Sequence, residues 1–463
     1  MATSLDNYVK SVITFSSAES NRELVELNRK SLNDVLEKNA SSLTNILQAL
    51  NVEEHSLSVA TVLLAKINQA CSVSSAEMVE ESLVQIETAL PFFKKPQLLL
   101  APDIFIKLFR KVYQVCLQRT ELLSQGITLL NSAIDVISGE SGELTSLHAC
   151  LFCLCLKAKL FDPALKYLSV PISKIMKEIP GDKNERGYMD SRSVLLYFYY
   201  GGLIYGAMGQ LHECMLMMQN VLCVPAFLTS AIMVEAYKKY LLLSLILYDK
   251  VKPLPGYRAT VVQKLQKYCF EYHFFENVCI SDSSNKDPAQ DILNHLQSHH
   301  NVFLEDNNVG LVKRLARKMR EAAIIKLSKT FLTMSLGDLT RRCHLPDCNY
   351  AERYLTEMNL EGKICAKLDK VNGLVHFEEP QVVVEEEKLN AAIQTSMELA
   401  TLLKSYDTRI RTNYVYVSRS TKVSCLSAHD DEGFQQGTSS LNVLSMMGFP
   451  SAGIPSFELN VSS

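Results

Sequence analysis

Apolar residues recur three or four positions apart through most of the first 330 positions, the period of one face of an α-helix. Leu24, Leu27, Leu32, Val35 and Leu36 form one such stripe. Val59, Val62, Leu63, Ala65 and Ile67 form a second, and Ile104, Phe105, Leu108, Phe109, Val112, Val115 and Cys116 a third. Pro91, Pro96, Pro102, Gly139 and Gly142 punctuate these helices. Alternating strand patterns are scarce, so the helices have no sheet to cover. Stacked helix hairpins, an all-α solenoid, are what this pattern predicts.

Local chemistry agrees at two places. Asp162 is a good N-cap, and Pro163 suits a first helical position, where its missing donor costs nothing. Gly202, Tyr205 and Gly209 match the first helix and turn of a degenerate tetratricopeptide-like hairpin. The small residues let two helices approach, and the aromatic ring fills the gap between repeats. The polar segment Glu178–Asp190, with Gly181 and Gly187, predicts an exposed loop. A further helix is expected within Phe227–Asp249, a break at Lys252–Gly256, and helices near Ala259–Val278 and Asp287–Phe303.

The pattern then changes. Val312, Leu315, Met319, Ala322, Ala323, Leu327 and Phe331 make a long helical stripe. Ser335, with Asp338 three residues on, predicts an N-cap for a short helix carrying Leu336, Leu339 and Cys343, which Pro346 stops. A second helix is expected from Asn349, with Ala351, Tyr354, Leu355 and Met358 buried and Glu361-Gly362 ending it. Ile364, Ala366 and Leu368 then alternate with Cys365 and Lys367, Asn372-Gly373 turns the chain, and Leu374–Phe377 returns. Helix, short helix, helix and hairpin wing, in that order, make a winged helix at 311–380.

Beyond the wing, Leu389, Ile393, Ser396, Ala400, Leu403, Tyr406 and Ile410 keep helical spacing, so a C-terminal helix is expected at 383–410. An amphipathic helix outside a finished module needs a groove to bury its stripe, and a bundle with partner helices supplies one. From 411 to 463, Ser, Gly, Thr and Asn dominate, and a disordered tail is expected. The solenoid falls into repeats at 1–195 and further repeats at 196–310 that lead into the winged helix.

Charge decides what the winged helix meets. A helix that reads the major groove offers cations and amides. Here the second helix carries Glu352, Arg353, Glu357 and Glu361, and the hairpin runs into Glu378-Glu379 and then Glu385-Glu386-Glu387. Phosphates would be repelled, which makes protein the expected partner and nucleic acid the weaker reading. The basic run Lys313, Arg314, Arg317, Lys318 and Arg320 reads as a solvated helix face.

With a net charge of −3 and 47% apolar residues, the composition is that of an ordinary globular chain. Met1–Asp6 lacks the basic start and apolar core of an export signal, and no uninterrupted apolar run spans a membrane. The 13 cysteines follow no framework, so reduced thiols and a cytoplasmic and nuclear location are expected.

Residues that could serve catalysis or a metal have plainer readings. His148, Cys150, Cys153 and Cys155 contain a Cys-x-x-Cys pair, but the run is apolar and no second pair exists, so they read as core residues. Cys343, His344 and Cys348 fall in a turn, and His295, His299 and His300 make a polar helix face. The chain holds no phosphate-binding glycine loop, Gly-x-Ser-x-Gly elbow or His-Glu-x-x-His motif. No catalytic residue, metal or cofactor is expected.

These residues carry a family resemblance. Leu327–Phe331, Ser335–Leu339, Ala351–Leu355, Met358, Glu361–Ile364 and Asn372–Phe377, following a helical solenoid, resemble the PCI domain of the proteasome lid, the COP-nine signalosome and a translation initiation factor. Tyr199–Tyr205, Glu235–Tyr240, Asp306–Lys313, Leu327–Thr333 and Glu53–Leu57 narrow the resemblance to the signalosome's third-subunit family, over roughly residues 1 to 410. The resemblance implies a non-catalytic scaffold subunit of a complex that removes Nedd8 from the cullins of cullin-RING ubiquitin ligases through another subunit's zinc isopeptidase. It implies winged helices joined edge to edge, here through Ile364, Cys365, Lys367, Leu374, His376 and Phe377. It also implies C-terminal helices gathered in a bundle, here through Leu389, Ile393, Leu403, Tyr406 and Ile410. Other signalosome subunits are thus the expected partners, with cullin-RING ligases met indirectly. The alternative is a PCI subunit of a proteasome-lid or translation-factor-type assembly that contacts nucleic acid through Lys313–Arg320.

Overall fold

The computed structural model describes residues 2–18, 20–37, 42–73, 75–138, 142–172, 174–178, 189–226, 228–256, 261–280, 287–378 and 386–418. The chain forms two compact units. The first comprises Met1–Leu254, Arg258–Asp282 and Leu296–Val312, the second Pro255–Tyr257, Ser283–His295 and Lys313–Ser463.

The first unit is built of helices. Ser56–Val73 packs on Pro102–Gln118, that helix on Ser146–Ala158, and that in turn on Ser191–Ala207, while Ala76–Ala89, Leu123–Ile137 and Leu211–Cys223 are their hairpin partners. This is the expected repeat architecture. The Ser56–Val73 helix departs from a one-sided stripe: every residue from Ser56 to Ile67 is buried. Helices contact it on several sides, so polar residues must find partners inside. Lys66 does so, donating to Glu81 at 2.7 Å, Gln85 at 2.9 Å and Thr44 at 3.1 Å.

The expected close approach at the glycines is present. A Cβ on Gly202 would lie 3.1 Å from Met217 Cβ, and one on Gly126 would lie 2.9 Å from Cys116 Cβ. Gly209, at φ +81°, ends the Ser191–Ala207 helix in a conformation that other residues adopt at a cost.

Several details differ from expectation. Asp162 sits inside the Asp162–Leu168 helix and Phe161 holds the cap position, so the carboxylate acts on the helix dipole without capping. The segment Glu178–Asp190 is exposed at Asp190 but not at its first residue. Glu178 and Met189 are buried, and Glu178 accepts a hydrogen bond from the Ser146 amide at the start of the Ser146–Ala158 helix. Its central residues, 179–188, lie outside the described residues. A short parallel pair, β1 (Glu143–Leu144) with β2 (Lys174–Ile175), was not foreseen, being too short for any periodicity. The helices expected near Ala259–Val278 and Asp287–Phe303 are broken into shorter ones, among them Phe270–Ile280, Pro288–Ser298 and His300–Glu305.

The second unit contains the winged helix. The Val309–Thr330 helix leads to β3 (Thr333–Ser335), the helices Leu336–Arg342 and Cys348–Leu360, then β4 (Cys365–Asp369) and β5 (Leu374–Glu378). Ser335 Oγ accepts from the Asp338 amide at 3.1 Å, the foreseen cap. The next helix starts at Cys348, one residue earlier than expected, because Asp347 caps it, accepting from the Cys348 amide at 2.7 Å. Ala351, Tyr354, Leu355 and Met358 are buried as expected, against Leu339, Val375 and Phe377. A side chain the size of Leu355 or Met358 contributes about 1.5–3 kcal/mol on full burial. Gly362 and Gly373, at φ +69° and +63°, end that helix and turn the hairpin.

The Glu386–Arg411 helix follows, and residues 414–418 are helical as well, so the first residues of the expected disordered tail are ordered. The remainder of the expected tail, 419–463, lies outside the described residues.

Candidate protein-interaction surfaces

The wing's strand order decides which backbone groups can reach a partner. The sheet runs β3-β5-β4, all antiparallel, with His376 facing Thr333 on one side and Lys367 on the other. Strand β5 is therefore central and its ladder is occupied on both sides. This corrects the expectation that Leu374, His376 and Phe377 pair by backbone with another chain. Ile364 and Phe377 are each 5% exposed and belong to the unit's own core, so they are not surface contacts either. Sequence reading missed this because Thr333–Ser335, too short to show alternation, supplies the third strand.

What remains at the edge is β4, with Cys365 half-buried and Lys367 exposed, together with the exposed His376 side chain. Lys367 pairs with Glu378, and His376 Nδ1 lies 3.2 Å from Thr333 Oγ1. A charged lysine on an edge strand discourages indiscriminate strand addition. Three bare apolar side chains of this unit were not singled out by periodicity: Leu332, Leu360 and Val371, at 79%, 84% and 93% exposure. They sit at element ends and in the turn, where no repeat marks them.

The Glu386–Arg411 helix is the larger surface. No residue of its 26 is buried, although it carries a continuous apolar stripe. Leu389, Ile393, Leu403 and Ile410 are about half exposed or more, and Tyr406 is half-buried. Met397, Leu399 and Leu402 add to the stripe and are also exposed. Met397 could have been found, since it lies one turn beyond Ile393. At a rise of 1.5 Å per residue the helix is about 39 Å long. Most helical stability in proteins comes from packing an amphipathic face, and an apolar face of this extent is a docking face.

The basic run is not one open face. Arg317 pairs with Glu321 at 2.9 Å, Glu357 at 3.1 Å and Glu361 at 3.4 Å, and its guanidinium lies 5.7 Å from the centre of the Tyr354 ring. Glu321 is buried and also holds Lys363 at 2.7 Å.

The candidate run His148–Cys155 is part of the first unit's core. His148 sits at the third position of the Ser146–Ala158 helix, and its Nδ1 accepts from the Thr145 amide at 3.1 Å while Thr145 caps the helix. Burial lowers its pKa to about 4 and keeps it neutral. Burial also raises the thiols of Cys150 and Cys155 to about 12 each, so neither is a thiolate. Cys343 is buried at the end of the Leu336–Arg342 helix, His344 adopts φ +51°, and Cys348 is exposed. His299 Nε2 lies 3.3 Å from a Glu271 carboxylate oxygen, a neighbour that its own stretch of sequence does not announce.

Comparison with known proteins bears on both parts of the chain. The family model described as COP9 signalosome complex subunit 3, N-terminal helical repeats, matches residues 18–262, and the PCI domain model matches 296–379. COP9 signalosome complex subunit 3 of Drosophila melanogaster is 34% identical over 394 residues, 82% of this chain and 85% of the relative. The protein of the same name from Dictyostelium discoideum is 31% identical over 350 residues, 74% of this chain and 78% of the relative.

Proposed function

This chain belongs to the family of COP9 signalosome complex subunit 3, and we propose that it acts as a non-catalytic scaffold subunit of that complex. The observation that carries the reading is the Glu386–Arg411 helix, whose apolar stripe nothing covers among the described residues. Helices from other signalosome subunits complete it, with Leu389, Ile393, Leu403, Tyr406 and Ile410 as the seam. The β4 edge, with Cys365, Lys367 and the His376 side chain, meets a neighbouring winged helix. The chain performs no chemistry itself, and Nedd8 removal from cullins belongs to another subunit of the assembly. Among the described residues the cysteines form no disulfide, which supports a reducing compartment, the cytoplasm and nucleus.

The relatives favour the signalosome over a proteasome-lid or translation-factor assembly, and the engaged Arg317 weakens the case for nucleic acid. Affinity purification of the tagged full chain from cells, with identification of what accompanies it, tests the reading. Stoichiometric recovery of other signalosome subunits is expected. Recovery of the chain as a lone monomer would overturn it.

A further inference from the structure

A cleft of about 340 Å³ lies within the second unit, between the Val309–Thr330 and Cys348–Leu360 helices. Lys313, Arg317 and Arg320 line it from the first helix, and Tyr350, Arg353 and Tyr354 from the second. We propose that this cleft binds a phosphoryl group carried on a serine or threonine side chain of a partner protein. The inference is independent of the scaffold reading and concerns a different face of the molecule.

The ionic pairing is the first argument. Arg317 is engaged by three carboxylates, whereas Lys313, Arg320 and Arg353 form no ion pair among the described residues. The Nε of Arg320 is buried and donates to no acceptor among those residues. A phosphate oxygen pair is the acceptor that a guanidinium fork matches best, and neither Arg320 nor Arg353 has a carboxylate in that place among the described residues. Three converging cations suit the nearly doubly charged phosphate monoester better than a single carboxylate.

The walls are the second argument. Tyr350 stacks on Tyr354 with ring centres 5.8 Å apart and planes inclined by 15°. Tyr354 is fixed by donating its hydroxyl to the Arg317 carbonyl at 3.2 Å, while Tyr350 remains 40% exposed. This aromatic wall can cover the stem of a phosphorylated side chain and exclude water, which strengthens the charge interaction. The rim argues against a nucleic-acid strand. Glu357 lines the cleft, and Glu361 stands one helical turn beyond it, paired with Arg317, so a continuous polyanion leaving the cleft would meet carboxylates.

Fluorescence anisotropy on the full chain tests this with a fluorescein-labelled Gly-Ala-pSer-Ala-Gly peptide, its unphosphorylated counterpart, and a five-nucleotide single-stranded RNA. The phosphopeptide should bind at least tenfold tighter than the unphosphorylated peptide, and inorganic phosphate should compete only weakly. Arg353→Gln, at an exposed position that leaves the fold intact, and Arg320→Gln should each weaken binding at least fivefold. Equal binding of the two peptides, or no effect of Arg353→Gln, overturns the proposal. So does tighter binding of the RNA that is lost in the same variants, and inorganic phosphate competing as well as the peptide would make the site one for free phosphate.

Discussion

Glu321 and Lys363 meet at 2.7 Å across the winged-helix unit, joining the Val309–Thr330 helix to the residue that leads into the wing. Glu321 is the buried partner and also accepts from Arg317 Nε at 2.9 Å, so one carboxylate fixes two cations. Glu321→Ala should destabilise this unit by about 1–3 kcal/mol, less than a fully buried broken pair would cost, because Lys363 is partly hydrated. Amide hydrogen exchange of residues 363–378 checks it, with faster exchange expected there than in the first unit's helices. Unchanged protection would show that the pair only decorates the surface.

Gly126 and Gly310 separate close packing from helix propensity. A Cβ at Gly126 meets Cys116 Cβ at 2.9 Å and Leu154 Cδ1 at 3.0 Å, whereas one at Gly310 meets nothing within 4 Å. Gly126→Ala should cost about 1–3 kcal/mol through overpacking. Gly310→Ala should be neutral or stabilise by about 0.5 kcal/mol, alanine being the better helix former. Thermal melts of the two variants should shift in opposite directions or differ by several degrees.

His148 gives the first unit a dependence on pH. Burial lowers its folded pKa to about 4, against about 6.5 when unfolded. Its contribution is therefore fully present above about pH 6.5 and is lost as the pH falls through 4, because the unfolded chain takes up the proton first. The loss is on the order of 3 kcal/mol. His148→Gln keeps a capping-box side chain but cannot titrate. Urea midpoints measured from pH 7 to pH 4 should fall less steeply in the variant, and parallel slopes would show that His148 does not set the dependence.

The elements were legible where several local signals coincide. Ser335 with Asp338, the Ala351–Met358 stripe, Gly362 and Asn372-Gly373 each state a cap, a face, a stop or a turn, and each is where expected. Three-residue β3 left no periodic trace, so the wing's central strand was mistaken for a free edge and Phe377 for a surface residue. The cap on the Ser146–Ala158 helix was hidden for a different reason. His148 stands where glutamate or glutamine ordinarily closes a capping box, and Glu178, the buried acid that accepts from the Ser146 amide, lies 32 residues beyond Ser146 in the chain. Long-range pairing of this kind, like Arg317 with Glu357 and Glu361, has no signature along the chain.

The account turns on the last helix. Leu389, Ile393 and Leu403 are exposed in the chain itself, so replacing all three with glutamate should move its own melting temperature by no more than about 2 °C, the effect of ordinary surface changes. The same replacement should lower incorporation into complexes reconstituted with the other signalosome subunits by more than tenfold, because buried carboxylates would have to be desolvated in the bundle. Incorporation of the Leu389→Glu, Ile393→Glu, Leu403→Glu chain at the level of the unaltered one would contradict the assignment of this helix as the joint to the assembly.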